Sequence, residues 1–144
     1  MTDFPADTDA FNRVAVERLP GHLGIRILSV GGGKVEAELD IRPHHLAPNG
    51  YLHAGTVVTL ADTAAGFGCM EHLPPGANSF TTIELKSNFL GTAREGIIRC
   101  TASGTHLGRT TQVWDAVVTD SAGKTMALFR CTQMVLYPRV GGIG

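Results

Sequence analysis

The clearest pattern along the chain is the alternation over residues 34–42. Val35, Ala37, Leu39 and Ile41 point one way, while Lys34, Glu36, Glu38, Asp40 and Arg42 point the other. A period of two with one wet face predicts a half-buried antiparallel strand. Residues 25–30 predict another strand, and Gly31-Gly32-Gly33 between the two reads as a hairpin turn. Earlier, Phe11, Val14, Ala15 and Leu19 recur at helical spacing and predict a short helix over residues 9–19, ended by Pro20-Gly21. Residues 43–52, with Pro43, His44, His45, Pro48, Asn49 and Gly50, predict a loop. From 53 to 72 the apolar residues Val57, Val58, Leu60, Ala61, Ala64, Ala65 and Phe67 surround the helical wheel instead of lining one stripe. Such a helix is predicted to be buried nearly all round.

Four more strands are predicted at 80–89, 96–103, 110–119 and 125–137, separated by turn signals at Gly91, at 104–108 and at 121–123. Short connections between them imply antiparallel pairing. Residues 138–144 predict a frayed tail. The expected architecture is α+β, a curved antiparallel sheet wrapped around one long central helix, as a single domain over residues 1–144.

Composition sharpens this picture. Hydrophobic residues are 43% of the 144, which excludes a disordered chain, and a chain of this length needs no disulfide or metal staple. Charged residues are only 17%, against about 25% in ordinary domains, so part of the surface is expected to be covered by other copies of the chain. A net charge of −1 excludes a dedicated nucleic-acid binder. No signal peptide is expected over residues 1–9, and residues 54–70 hold Asp62 and three threonines, too polar to span a bilayer. The odd set Cys69, Cys100 and Cys131, with no C-x-x-C, points to a reducing cytoplasm and away from a zinc site. His44 and His45 would point to opposite sides if extended, so no metal is expected, and no phosphate loop, nucleophile elbow or other cofactor motif is present.

The candidate chemistry lies in the central helix. Burying Asp62 among apolar residues costs several kcal/mol unless the carboxylate is paired or kept for a purpose. Pairing with Thr59, Thr63 or a loop amide would make it structural. Just upstream, Asn49, Gly50 and His53 precede Ala54-Gly55 in the first turn, where free N–H groups and the helix dipole suit an oxyanion. An oxyanion site plus a carboxylate is what hydrolysis of an activated acyl group requires, with the carboxylate activating water or attacking directly. Ala54 and Asp62 are eight residues apart, about 12 Å along a helix, too far to act on one carbon. Two antiparallel copies of the helix in a two-fold dimer would bring Asp62 of one near Ala54 of the other.

His53-Ala54-Gly55 followed by Leu60-Ala61-Asp62-Thr63-Ala64 resembles the H-G-G…L-A-D-[ST] signature of hotdog-fold acyl-CoA thioesterases of the phenylacetate-degradation type. The resemblance extends to residues 82–89, similar to T-x-E-L-K-x-N-F, and to Gly108-Arg109-Thr110, and covers about residues 35–137. It implies a hotdog fold that hydrolyses acyl-CoA to a carboxylic acid and free coenzyme A. Asp62 would be general base or nucleophile, the Ala54 N–H would polarise the thioester carbonyl, and His53 would shape the helix entrance. Asn49 would position water or substrate, and Thr82 would support the water. Gly55, Gly108, Arg109 and Arg94 would contact coenzyme A. A tetramer, as a dimer of dimers, is implied as well. Two other readings stay open: a hotdog 3-hydroxyacyl-thioester dehydratase or hydratase, and a non-catalytic acyl-CoA-binding module.

Overall fold

The computed structural model describes residues 7–141. Helices α1 (Thr8–Ala15) and α2 (Leu19–Leu23) precede a hairpin of β1 (Arg26–Gly31) and β2 (Lys34–Asp40). A single 3₁₀ turn at Pro43–His45 leads to the long helix α3 (Ala54–Glu71). Strands β3 (Ser79–Phe89), β4 (Ile97–Leu107), β5 (Thr111–Thr119) and β6 (Thr125–Leu136) complete the fold. All pairings are antiparallel, in the order β1-β2-β4-β5-β6-β3. This is a hotdog architecture, a curved sheet wrapped around α3.

Three local features differ from the pattern read along the chain. The helix expected over 9–19 ends at Ala15, and Pro20 opens the separate α2, because its fixed φ and missing N–H suit a first helical turn. Strand β4 runs on to Leu107 through the turn signal at 104–108, with a bulge between Gly104 and His106 absorbing the irregularity. Strands β3 and β4 are neighbours in sequence but not in the sheet, where β6 and β5 lie between them. Their connection runs across the end of the sheet: the Leu90 and Gly91 N–H groups donate to Met126 O, and Ala93 O accepts from Leu52 N just before α3. The β1–β2 hairpin turns on Gly32 (φ 60°) and Gly33 (φ 75°), a left-handed pair that favours glycine. Residues 138–141 carry no regular structure, and the rest of the predicted tail lies outside the described residues.

The core forms between α3 and the inward faces of the strands. Val35, Ala37 and Leu39 face it from β2, Ile98, Cys100 and Ala102 from β4, Trp114, Ala116 and Val118 from β5, and Phe129 and Cys131 from β6. From the helix come Leu60, Ala61, Ala64, Ala65 and Phe67. The small residues of α3 set how closely helix and sheet approach. A Cβ on Gly68 would stand 2.6 Å from the Trp114 ring, and one on Gly66 would stand 3.1 Å from Phe80. Trp114 cannot retreat, because it is fully buried and its Nε1 donates to Gln112 Oε1 at 2.8 Å. We expect Gly68→Ala to destabilise the fold by about 1–3 kcal/mol, read as a lower denaturant midpoint at unchanged slope; an unchanged midpoint would contradict this packing.

Candidate active site

The start of α3 is anchored from below by His45. This buried ring accepts the Arg42 N–H at Nδ1 (2.8 Å) and donates from Nε2 to Leu23 O (2.6 Å). Both nitrogens are therefore engaged, and burial lowers the pKa of His45. The carbonyl of His45 accepts from His53 N (3.0 Å) and from the Thr56 hydroxyl (2.9 Å), pinning the first turn of the helix. His44 and His45 sit in a tight turn rather than an extended segment, with ring centroids 4.1 Å apart.

The donors of that first turn can be counted. His53 N is bonded to His45 O, and Gly55 N donates to the side chain of His53 at Nδ1 (2.8 Å). Thr56 N and Val57 N both reach His53 O, at 3.0 and 3.5 Å. Ala54 N–H has no partner among the described residues, and it sits in an exposed residue at the positive end of an 18-residue helix. His53 is thus the N-cap, and by occupying the Gly55 donor it singles out Ala54. Asn49 is exposed and its Oδ1 accepts from Tyr51 N (3.1 Å), holding the loop before the cap. Arg94 lies over the Tyr51 ring, 4.1 Å from its centroid. A small cavity of about 140 Å³ opens beside Ala54, lined mainly by Leu52, Val57, Phe89, Gly91 and Met126.

Asp62 lies in the middle of α3. Its Oδ1 is buried and has no hydrogen-bond partner among the described residues. Thr59 gives its proton to Gly55 O at 2.7 Å instead. Burial raises the Asp62 pKa above the ordinary carboxylate range. Beneath it, burial pushes the Cys131 thiol up to about 12, and the Asp62 charge adds to that shift. Next to Cys131 on the same face of β6, Gln133 accepts the Thr82 hydroxyl proton at Oε1 (2.7 Å) and donates from Nε2 to Cys131 Sγ (3.3 Å). Gly108 and Arg109 form the β4–β5 turn; Gly108 N donates to Thr111 O, and the Arg109 carbonyl accepts from Tyr137 OH.

The candidate residues therefore divide into two groups within one chain. His53, Ala54, Gly55, Asn49 and Arg94 gather at the end where β3 finishes with Phe89. Thr82, Gly108 and Arg109 belong to the end where β3 begins, because Thr82 pairs with Gln133 and Gln133 with Gln112, close to that turn. Seven residues of strand separate Thr82 from Phe89, about 24 Å. Gln133 and Gln112 escaped the sequence reading. The available signal was their parity, since each is polar on the strand face that carries Cys131, Phe129, Trp114 and Ala116.

An acid whose pKa rises on folding weakens the fold above that pKa. Between its unfolded and folded values the folded chain binds more protons, so stability falls as pH rises, and the full cost remains above the folded value. Asp62→Asn is expected to raise Tm near pH 8 by about 2–4 °C, with the gain shrinking as pH falls toward the acid range. Thermal melts across pH check this, and a lower Tm at pH 8 would show that the carboxylate stabilises the fold.

The family model described as "Thioesterase superfamily" matches residues 49–127, which include Ala54 and Asp62. A 1,4-dihydroxy-2-naphthoyl-CoA hydrolase of Listeria monocytogenes is 36% identical over 110 residues, 76% of this chain and 89% of the relative. A hydrolase of the same description from Escherichia coli is 30% identical over 131 residues, covering 89% and 93%. Among solved structures, a thioesterase of Haemophilus influenzae superposes with a TM-score of 0.85 at 27% identity, covering 91% of each chain. A mutant thioesterase of Pseudomonas aeruginosa superposes with a TM-score of 0.87 at 27% identity, covering 95% of this chain and 98% of that one. By sequence and by fold, this chain belongs to the thioesterase superfamily.

Proposed function

We propose that the chain hydrolyses acyl-CoA thioesters to a carboxylic acid and free coenzyme A, at a site shared between two copies. The observation that carries this reading is the buried, unpartnered Oδ1 of Asp62, an acceptor with no structural bond to explain it. The thioester oxygen would lie at Ala54 N–H. A water gives a proton to Asp62 as its oxygen bonds to the carbonyl carbon, and the oxyanion is held by Ala54 N–H and the helix dipole. Collapse breaks the C–S bond, and Asp62 returns the proton to the departing thiolate. Thr82 would support the water, Asn49 would position water or substrate, and His53 would shape the entrance. Gly55, Gly108, Arg109 and Arg94 are the proposed contacts for coenzyme A.

Several features favour an aromatic acyl group. The chain resembles the phenylacetate-degradation type, and two relatives are described as naphthoyl-CoA hydrolases. The apolar cavity beside Ala54, at about 140 Å³, is also of the size that accepts one benzene ring.

The surface supports a second copy. The β1 edge is clamped by Asn12, whose side chain accepts from Ile27 N and donates to Ile27 O, both at 2.9 Å. The β3 edge is open, with Ile83, Leu85 and Phe89 exposed. Leu85 and Phe89 pair with the buried Cys131 and Ala127 and so look toward the helix side of the sheet. Val58, Thr59, Asp62 and Thr63 form a half-buried stripe along α3. A two-fold axis beside β3 would cover that stripe and the strand, and would reverse the ends. Ala54 of one copy would then lie near Asp62, Thr82 and Arg109 of the other. We propose this dimer as the catalytic unit, paired into a tetramer.

Thiol release from a panel of short, long and aromatic acyl-CoAs tests the activity. Asp62→Asn is expected to lose at least about 100-fold in kcat, and in the parent kcat/KM should fall on the acid side with a midpoint above 3.8, the ordinary carboxylate value. An Asp62→Asn variant as fast as the parent, or hydration of an enoyl-CoA with no thiol release, would overturn the reading.

Sharing has its own test. Ala54→Pro removes the donor at a helical position that tolerates proline, so it and Asp62→Asn should each be inactive alone. Co-assembled, they should regain roughly a quarter of parental activity, because half of the dimers would be mixed and each mixed dimer holds one intact site. No recovery in verified mixed dimers would place both groups in one subunit.

A further inference from the structure

The mechanism above leaves Gln133 unused, although it is fully buried and bonded to Cys131, the thiol that feels the Asp62 charge. A side-chain amide costs free energy to bury unless its groups are bonded, and this one is bonded on both sides. Its oxygen takes the only proton of the Thr82 hydroxyl at 2.7 Å, and its nitrogen donates to Cys131 Sγ at 3.3 Å. The consequence lies in what these bonds prevent. A hydroxyl has one proton, and once it is given to Gln133 the Thr82 oxygen can only accept. An ionised carboxylate also only accepts. A Thr82 hydroxyl freed from Gln133 would have a proton to offer the carboxylate, and a donor on Asp62 Oδ1 would both lower its basicity and occupy the atom that must take the proton.

We propose that Gln133 is a positioning residue for the hydrolysis, holding the Thr82 hydroxyl turned away from Asp62 so that carboxylate and threonine oxygen together accept the two protons of the attacking water. A water held by two acceptors turns its lone pairs outward, toward the carbonyl carbon. The same arrangement keeps two donors off the bare Oδ1: the Thr82 proton goes to Gln133, and Gln133 Nε2 donates to sulfur. Cys131, the titratable group coupled to Asp62, stays a neutral thiol at a value of about 12 and does not compete for the proton. This inference rests on Asp62 being the base.

The test is a double-mutant cycle with Gln133→Met, close in volume and flexible, and Thr82→Val. In the parent background Gln133→Met is expected to lower kcat about tenfold with KM within about twofold. It should also move the acid limb of the kcat/KM profile to lower pH, because the released hydroxyl now bonds the carboxylate. With Thr82→Val already present, Gln133→Met should change kcat less than about twofold and leave the limb in place. Gln133→Glu, which keeps an acceptor for the hydroxyl, should recover most of the lost kcat in the parent background. If the methionine variant does not fold, Gln133→Glu and Gln133→Leu are compared across the same two backgrounds. An equal loss in both backgrounds, or no loss in either, overturns the proposal while Asp62→Asn remains inactive. A parent without thioesterase activity, or an active Asp62→Asn, overturns the base assignment and this inference with it.

Discussion

Helix α3 is apolar on nearly every side, and a single curved sheet can cover only part of it. That constraint organises the molecule. The sheet takes Leu60, Ala61, Ala64, Ala65 and Phe67, and the glycines let it come close enough for Trp114 to lie against Gly68. The stripe of Val58, Thr59, Asp62 and Thr63 remains half-buried. The carboxylate thus stands on the boundary between the core and an uncovered surface. There, burial raises its pKa, and its Oδ1 has no hydrogen-bond partner among the described residues. A group in that position weakens the fold and is suited to taking a proton.

The helix also supplies the other half of the proposed chemistry, by subtraction. One histidine carbonyl, that of His45, anchors the first turn, and one histidine ring, that of His53, caps it. Between them, with the carbonyl of His53, they satisfy the donors of that turn, leaving Ala54 N–H without a partner among the described residues. The β3–β4 connection contributes as well. Because β3 lies on the far edge of the sheet, its exit must run past the start of α3, and Gly91 helps to wall the apolar cavity beside Ala54. The proposed oxyanion donor, the cavity and the carboxylate are each products of the same packing problem.

Much of this was legible along the chain. The alternation of Val35, Ala37, Leu39 and Ile41 predicted β2, and the all-round apolar wheel predicted α3, because both periods are imposed by backbone geometry alone. Asp62 stood out for the same reason, as a charge inside an apolar pattern. Gln133 did not, because a glutamine within a strand is unremarkable until its face is known. The break between α1 and α2 was also missed, since Pro20-Gly21 reads equally well as a stop or as a first turn.

The sequence by itself determined which segments form strands and helix, that the helix must be buried, and that its carboxylate lacks an obvious reason to be there. Local spacing is enough for those conclusions. The strand order, the identity of the open edge and the hydrogen-bond partners of each buried polar group were decided only by tertiary structure. They depend on contacts between residues far apart in the chain, such as Thr82 with Gln133 and Asn12 with Ile27. Spacing along a sequence carries no information about which distant strand a side chain will meet.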